Sequence, residues 1–417
     1  MDDSTHLNNI TRFVTQHGLI GGILENLKFY YHKDTTILGF LRFSSWVFVS
    51  LIYLLPPKAC YFLKLWIFFG VIVFSWKLFS RYFTEPFHKL CALLLLLSIR
   101  SIYDGLTIVW LNELNGVFFV SLGLFALGKE KEIKNFLAGL FCFVVALGFK
   151  PPFVWLLLGF SWYCYTKKQK HLAIVSGVLW LVFLSTSIYL SQTAPYSQAI
   201  YVFDPIRSVL SVVHILKHFA PILTGLVFFL FLAKTKKWTF NPLGVCMLGS
   251  GLLYAATMIP RGIRQGLGYY LSPALFMATI GLIILFSPAI RGLRAKHALG
   301  FLIIPLGLGL FAVSKGLYRD AAIRHVRDWA IEMNVKGKTP IIGVNSYEAT
   351  IRMNDILKLR TKGNWKGTFV DYSIETPERT DLDYYVIFKD QVTPRSVSSA
   401  KLIPSLRSPM LEVYSYQ

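Results

Sequence analysis

The sequence is dominated by a series of apolar blocks, each about 15–22 residues long, which is the length that crosses the hydrocarbon core of a bilayer. Lipid offers the backbone no hydrogen-bond partners, so a spanning block must be helical or belong to a closed barrel. These blocks are continuous runs without the alternation of barrel strands. Hydrophobic residues make up 54% of the chain, above the roughly 45–50% of soluble domains. The pattern therefore predicts membrane helices.

The fold class predicted is an all-α polytopic membrane protein with about 9–11 transmembrane or re-entrant helices and a small C-terminal α/β soluble domain. We expect a polar N-terminal segment at 1–36, a transmembrane domain at 37–316 and an extracytoplasmic domain at 317–417. The basic, proline-rich stretch at 150–152 predicts two helices that meet at one membrane face, because proline breaks helices. The predicted spans are 37–55, 59–77, 88–103, 116–128, 136–149, 152–166, 171–191, 217–233, 241–259, 267–288 and 297–315.

Basic loops predict the orientation of these spans. The net charge of +21 would indicate nucleic acid in a soluble protein, but lysine and arginine in short loops are also what holds membrane loops in the cytoplasm. Clusters at 167–170, 234–237 and 291–296 are each two spans apart, so all three fit the cytoplasmic side. The same parity places 77–89 in the cytoplasm and the C-terminal domain outside. The predicted spans are nearly free of internal charge, and nucleic acid is not an expected partner.

Carboxylates and amides gather in two candidate positions. Asp2 and Asp3 open the chain, where a pair of carboxylates can serve as a general base or hold a metal, although a solvated terminus has the same composition. Asp104, Glu113 and Asn115 lie in or beside a predicted outer loop, which is equally compatible with an ordinary polar connection. The sequence leaves both alternatives open.

Basic residues on the predicted outer face form the second kind of candidate. Arg261 and Arg264 break the positive-inside pattern, and arginine grips phosphate through two parallel hydrogen bonds. Lys150 lies at a helix end, where a lysine either extends to the interface or contacts an anionic head group. Arg207 and Tyr269 accompany them as further candidate binding residues. Together they are suited to a lipid phosphate, and the alternative is a set of interface anchors.

These pieces, in this order, resemble integral-membrane glycosyltransferases of the GT-C class. The closest likeness is to the polyprenol-phosphate-mannose-dependent mannosyltransferases of family 87. About 50 residues carry it: Asn112-Glu113-Leu114-Asn115-Gly116, an apolar run, Ala138-Gly139, a second run and Lys150-Pro151-Pro152. The stretch Gly268–Pro273 resembles a later motif of these enzymes. Asp2 and Asp3, with the residues up to Gly18, resemble the first outer loop of the class.

The resemblance implies a catalytic acid among Asp3, Asp2 and Asp104. In the class, the acid lies on a loop that follows a first transmembrane helix, and no apolar block precedes Asp2 here. If 37–55 spans the membrane, the two N-terminal acids lie on the cytoplasmic side; an interfacial or re-entrant 37–55 would place them outside. The implied substrate-binding residues are Glu113, Asn115, Lys150, Arg207, Arg261, Arg264 and Tyr269.

The expected function is transfer of a sugar, such as mannose, from a polyprenyl-phosphate donor to a lipid-linked or cell-envelope glycan acceptor. The expected partners are the bilayer, the donor and that acceptor, and the expected location is a bacterial inner (plasma) membrane. No protein-bound cofactor is predicted, and a divalent metal stays open. The alternatives are a lipid-linked sugar flippase, polymerase or transporter, and a non-catalytic membrane anchor related to these enzymes.

Overall fold

A computed structural model gives the fold of the chain, which divides into two compact units, Leu7–Leu310 and Phe311–Gln417. In the first unit the structure describes residues 13–22, 24–25, 43–52, 57–99, 112–128, 132–193, 205–232, 238–259, 271–293, 307 and 310. In the second it describes residues 314, 321, 324–345, 350, 353, 357, 364, 366–371, 382–388, 401–407 and 411–416. The statements below concern these residues.

The first unit is helical throughout its described part, and the chain ends in a small sheet. Besides the helical stretch at 13–22, its helices are α1 (Phe43–Ile52), α2 (Pro57–Phe79), α3 (Pro86–Leu97), α4 (Asn112–Ala126), α5 (Ile133–Leu147), α6 (Val154–Thr166), α7 (Lys170–Thr193), α8 (Pro205–Leu232), α9 (Pro242–Met258), α10 (Ser272–Leu285) and α11 (Ser287–Arg291). This agrees with the predicted helical class and C-terminal α/β region.

Prolines set many of the helix boundaries. Proline suits the first turn of a helix, since its missing N–H has no intrahelical partner there. Helix α9 begins at Pro242, and the preceding residue, Asn241, caps it by accepting hydrogen bonds from the N–H groups of Leu243 and Gly244 at 3.0 and 3.3 Å. Between α5 and α6, a short 3-10 turn at Pro151–Phe153 separates the two helices. The chain therefore breaks at 150–152, as the sequence predicts.

Helix α10 forms the centre of the helical unit. All of its residues except Leu282 are buried, and it contacts α9, α4, α3 and α8. Glycines let α9 and α10 approach closely: a Cβ at Gly251 would lie 2.6 Å from the Ala274 carbonyl oxygen, and one at Gly281 2.5 Å from the Leu248 nitrogen. Small residues of this kind are common where membrane helices pack backbone to backbone.

The contacts also fix the relative directions of the helices. Helices α2 and α4 run parallel: Lys64 contacts Asn115 near their starts, and Arg81, just past α2, reaches the last carbonyls of α4. Antiparallel pairs are α4 with α5, α6 with α9 and α9 with α10. One end of the unit therefore carries the starts of α2, α4, α6 and α10, and the opposite end carries their C-termini.

Outer helices leave large apolar side chains exposed. On α2, Phe62, Leu65, Trp66 and Phe69 follow helical spacing and are each more than half exposed, and similar stripes run along α5, α7 and α8. Among the described residues, two helices, over Phe62–Phe79 and Lys170–Tyr189, are long and apolar enough to cross a membrane. Only 33% and 22% of these windows are buried, whereas the core helix of a soluble protein is mostly buried.

The second unit contains a five-stranded sheet of order β2-β1-β3-β5-β4. Its strands are β1 (Ile341–Val344), β2 (Thr368–Asp371), β3 (Tyr384–Phe388), β4 (Lys401–Leu402) and β5 (Leu411–Ser415). The first three are parallel, and β5 and β4 continue the sheet antiparallel. The helix at 324–335 covers one face through Val326, Ala330 and Met333. Apolar runs in the sequence predict strands at 339–344 and 383–388, which correspond to β1 and β3, but the other three strands are missed.

Candidate functional site

Two of the predicted substrate-binding residues form a buried ion pair. The Lys150 Nζ lies 2.6 Å from Glu113 Oε1, with the side chains 13% and 1% exposed. Lys150 immediately precedes the 3-10 turn between α5 and α6, and Glu113 lies in the first turn of α4. The positive end of the α4 dipole favours a carboxylate at this position. The two residues are 37 positions apart in the sequence and meet because α5 returns antiparallel to α4.

Gly116 explains how the 150–153 turn reaches the start of α4. A Cβ at Gly116 would collide with the ring of Phe153. The glycine therefore lets Phe153 lie directly against α4, which brings the neighbouring Lys150 to Glu113. Phe153 is fully buried and also contacts the ring of Tyr254 on α9, with the centroids 5.4 Å apart. The ion pair therefore depends on the glycine of the Asn-Glu-Leu-Asn-Gly motif, which leaves room for the Phe153 ring.

A second buried pair lies on the α2 side of α4. The Lys64 ammonium donates a hydrogen bond to Asn115 Oδ1 at 3.1 Å, and both residues are 1% exposed. The Lys64 Nζ also lies 5.6 Å from the centroid of the Phe48 ring, within the range of a cation–π contact. Asn115 was predicted, and Lys64 was not. Lys64 is thus a buried charge within the predicted span 59–77 and within the apolar stretch Phe62–Phe79.

The two pairs lie on different sides of the first turn of α4. Glu113 and Asn115 are two residues apart, so their side chains leave the helix about 200° apart. An aromatic chain connects the two sides: Phe48 packs its edge on Phe149, and Phe149 stacks on Phe119, each at 5.8 Å between centroids. We call Lys64, Glu113, Asn115 and Lys150 the α4 polar layer.

The electrostatics of the α4 polar layer favour an anion. Two lysines and one carboxylate give it a formal charge of +1. Both Glu113 carboxylate oxygens are buried and accept no hydrogen bond from the described residues, so the contact with Lys150 is an ion pair rather than a directed hydrogen bond. Lys150 is the more exposed partner. Its ammonium is therefore the group of this layer that an anionic ligand can reach most easily, by competing with Glu113.

The other predicted site residues are placed only in part. Arg207 lies in the first turn of α8, but its side chain is outside the described part. The remaining candidates also lie outside the described residues; these are Asp2, Asp3, Asp104, Arg261, Arg264 and Tyr269. The structure therefore brings together Glu113, Asn115 and Lys150 and adds Lys64.

Within the described residues, no group of three or more histidine, cysteine, aspartate or glutamate side chains could hold a metal ion. Four cysteines, Cys91, Cys142, Cys164 and Cys246, are buried in helices as free thiols. Comparison with known proteins finds no match to a family model, to a curated protein or to a solved structure. The resemblance to GT-C glycosyltransferases thus stays a hypothesis from the sequence motifs.

Proposed function

We propose that the chain is a multi-pass membrane glycosyltransferase that takes its sugar from a polyprenyl-phosphate donor. The observation that carries the proposal is the α4 polar layer. Three residues predicted from one sequence pattern of about 50 residues lie around a single helix turn, and Lys64 from a third segment, α2, joins them. A buried layer with a formal charge of +1 is suited to the phosphate of a lipid donor.

The exposed apolar stripes support the membrane part of the proposal. Large contiguous apolar surfaces on a soluble monomer are rare and indicate membrane or protein contact. Here they lie on the long faces of α2, α5, α7 and α8, while charged pairs are buried inside. Lipid around the outer helices would cover these stripes. A bacterial inner membrane is the location we propose.

The distribution of charge supports an orientation. Lys77, Arg81, Lys89, Lys134, Lys167, Lys168, Lys170 and Arg291 lie at the end of the helical unit opposite the polar layer. An excess of basic residues marks the cytoplasmic side of membrane proteins. The α4 polar layer would then lie near the outer face, where the sequence predicts the donor phosphate. The C-terminal domain is proposed to be on that side as well.

The proposed reaction is nucleophilic substitution at the anomeric carbon of the donor sugar. A carboxylate, taken from Asp3, Asp2 or Asp104, accepts the proton of an acceptor hydroxyl as its oxygen bonds to that carbon. The bond from the carbon to the phosphate oxygen breaks, and polyprenyl phosphate leaves with the electron pair. Lys150, with Arg261 and Arg264, stabilises the charge that develops on the phosphate. A glycan or lipid takes the sugar, which we propose to be mannose.

Sugar transfer from labelled polyprenyl-phosphate sugars, measured in membranes, tests the proposal. Lys150→Gln alone leaves Glu113 buried without its counterion, so the informative variant is Glu113→Gln with Lys150→Met, which removes both charges together. Lys134→Gln is the control, because Lys134 is highly exposed and lies at the opposite end. We expect transfer by the wild type and the control and none by the folded double variant. A wild type that is folded but inactive with every donor would refute the proposal.

Lys64 favours one alternative, a transporter of lipid-linked sugars. Ionisable residues inside membrane spans commonly mark a substrate or ion path, and Lys64 is buried within a candidate span. Purified protein in detergent can transfer a sugar but cannot show translocation, whereas sealed vesicles report both. Movement of a labelled lipid-linked sugar across sealed vesicles, without formation of a new glycosidic bond, would favour the transporter.

A further inference from the structure

Basic side chains cluster on the turn between α2 and α3 and on the end of α11. Lys77 lies in the last turn of α2 and Arg81 just after it; Lys89 is in the first turn of α3, and Arg291 ends α11. Lys77, Arg81 and Arg291 are exposed. We call these four residues, with the half-buried His88, the basic end.

Contacts with backbone and rings hold the basic end together. Arg291 Nε donates a hydrogen bond to the Tyr82 carbonyl at 2.8 Å, which fixes the end of α11 against the α2–α3 turn. The His88 ring lies 3.3 Å from the Leu293 carbonyl oxygen, on the same side. The Lys89 ammonium lies 5.9 Å from the centroid of the Trp76 ring. In these three contacts the basic side chains are held by neutral groups.

Arg81 also has a structural role. Its two terminal nitrogens donate to the carbonyls of Leu124 and Phe125 at 3.2 and 2.6 Å, in the last turn of α4. An arginine at this position donates hydrogen bonds to carbonyls that have no partner within the helix, and its positive charge interacts favourably with the negative C-terminal end of the helix dipole. Removing Arg81 would therefore disturb the fold as well as the surface charge. Changing Lys77 removes no hydrogen bond or ion pair among the described residues, and changing Arg291 removes its hydrogen bond to Tyr82.

The charge of this surface is strongly positive. In the described segments that form it, 77–89 and 287–293, the four cations face one acidic residue, Glu85, which is itself exposed. The formal charge is therefore +3 without His88. On the same helix, α2, the exposed apolar stripe ends at Phe69, about 12 Å along the helix axis from Lys77. Cations beyond the end of a lipid-facing apolar stripe match the boundary between head groups and acyl chains.

We propose that the basic end binds the head groups of anionic phospholipids. Its partner is the phosphate-bearing surface of the leaflet on this side, with phosphatidylglycerol as a representative lipid. The inference rests on the membrane embedding proposed above but not on glycosyl transfer. The guanidinium of Arg291 retains N–H groups suited to a phosphate beyond the one that binds Tyr82, and Lys77 adds a charge on the adjoining helix turn.

Binding of phosphatidylglycerol to the full-length protein in detergent tests the proposal, with native mass spectrometry and a lipid titration as readouts. The test variant is Lys77→Gln with Arg291→Gln. Because each basic residue near an anionic surface contributes about a fivefold change in binding, we expect an apparent affinity lower by about 25-fold. Phosphatidylcholine, which carries no net charge, should bind weakly to the wild type and equally to the variant.

Lys336→Gln with Lys401→Gln is the matched control, since both lysines are exposed, lie in the C-terminal unit and give the same change in net charge. We expect this control to bind phosphatidylglycerol as the wild type does. Inorganic phosphate, tested at matched ionic strength, should not compete at lipid concentrations that saturate the site. Equal loss of binding in both double variants, full retention in the test variant, or equal affinity for the two lipids would each overturn the proposal. Sugar transfer is measured separately, because it tests the proposed glycosyltransferase activity and not the binding of lipid.

Discussion

The close packing of α9 on α10 predicts that two glycine-to-alanine substitutions have opposite effects on stability. Gly281 and Gly249 are both inside helices. A Cβ at Gly281 would lie 2.5 Å from the Leu248 nitrogen and 2.7 Å from the Gly244 carbonyl oxygen, whereas one at Gly249 meets nothing within 4 Å. The same chemical change therefore places a methyl group against backbone in one case and in open space in the other.

The expected magnitudes follow from two opposing terms. Alanine in place of glycine in a helix interior stabilises by about 1 kcal/mol. Overpacking a tight interface typically costs about 1–3 kcal/mol, and the upper end applies at Gly281 because helix backbone cannot rotate aside as a side chain can. Gly281→Ala should therefore lower the free energy of unfolding by about 2 kcal/mol. Gly249→Ala should raise it by up to about 1 kcal/mol.

Thermal unfolding of the purified protein, followed by tryptophan fluorescence, measures this difference. For a unit of about 300 residues, 1 kcal/mol corresponds to a shift in Tm of about 1–2 °C, so the two variants should fall on opposite sides of the wild type. Gly251→Ala provides a second test, since its Cβ would lie 2.6 Å from the Ala274 carbonyl oxygen. A Gly281→Ala protein as stable as Gly249→Ala would refute the close approach of α9 and α10.

Three further predictions concern the buried polar groups. Glu113→Gln should destabilise the protein by about 3–5 kcal/mol, because it leaves the Lys150 ammonium buried without its counterion. Adding Lys150→Met should recover much of that loss. Chemical denaturation of the wild type, the single variant and the double variant measures both effects. Asn345→Ala should cost about 2 kcal/mol, because the Asn345 amide bonds both the N–H and the carbonyl of Phe388 at 2.7 and 3.0 Å, and limited proteolysis of the C-terminal unit should accelerate. Burial raises the pKa of Tyr384 in the folded protein. The stabilising contribution of the neutral phenol is therefore complete below its unfolded pKa of about 10 and is lost as pH rises through the folded pKa. Tyr384→Phe should weaken this loss of stability at alkaline pH, and an unchanged dependence of stability on pH would contradict the role of Tyr384.

The helices could be predicted from the sequence because their signals are local. Continuous apolar runs and prolines at helix starts are visible without any knowledge of the partner helices. The Lys150-Pro151-Pro152 stretch predicts the break between α5 and α6 for the same reason. The shortest connection, between α10 and α11, was missed, since the predicted span 267–288 runs across it. There, Ser287-Pro288 begins a new helix after Phe286.

The missed features depend on partners that are distant in the sequence. Strand β5 becomes a strand by pairing with β3, and β2 and β4 are short segments at the two edges of the sheet. Lys64 is recognisable in the sequence as a charge within an apolar run, but its significance comes from Asn115, which lies 51 positions later. Propensity and periodicity carry no information about such pairings.

The Asn-Glu-Leu-Asn-Gly and Lys-Pro-Pro-Phe segments act first as one packing unit. Gly116 admits Phe153, Phe153 fixes the turn, and the turn carries Lys150 to Glu113. A purely structural ion pair would gain little from this arrangement, because apolar residues of similar volume are often as stabilising as a buried pair. It costs free energy to bury two lysines and one glutamate at one end of the helical unit. Binding of an anion, such as the proposed lipid phosphate, would explain why these charges are buried there.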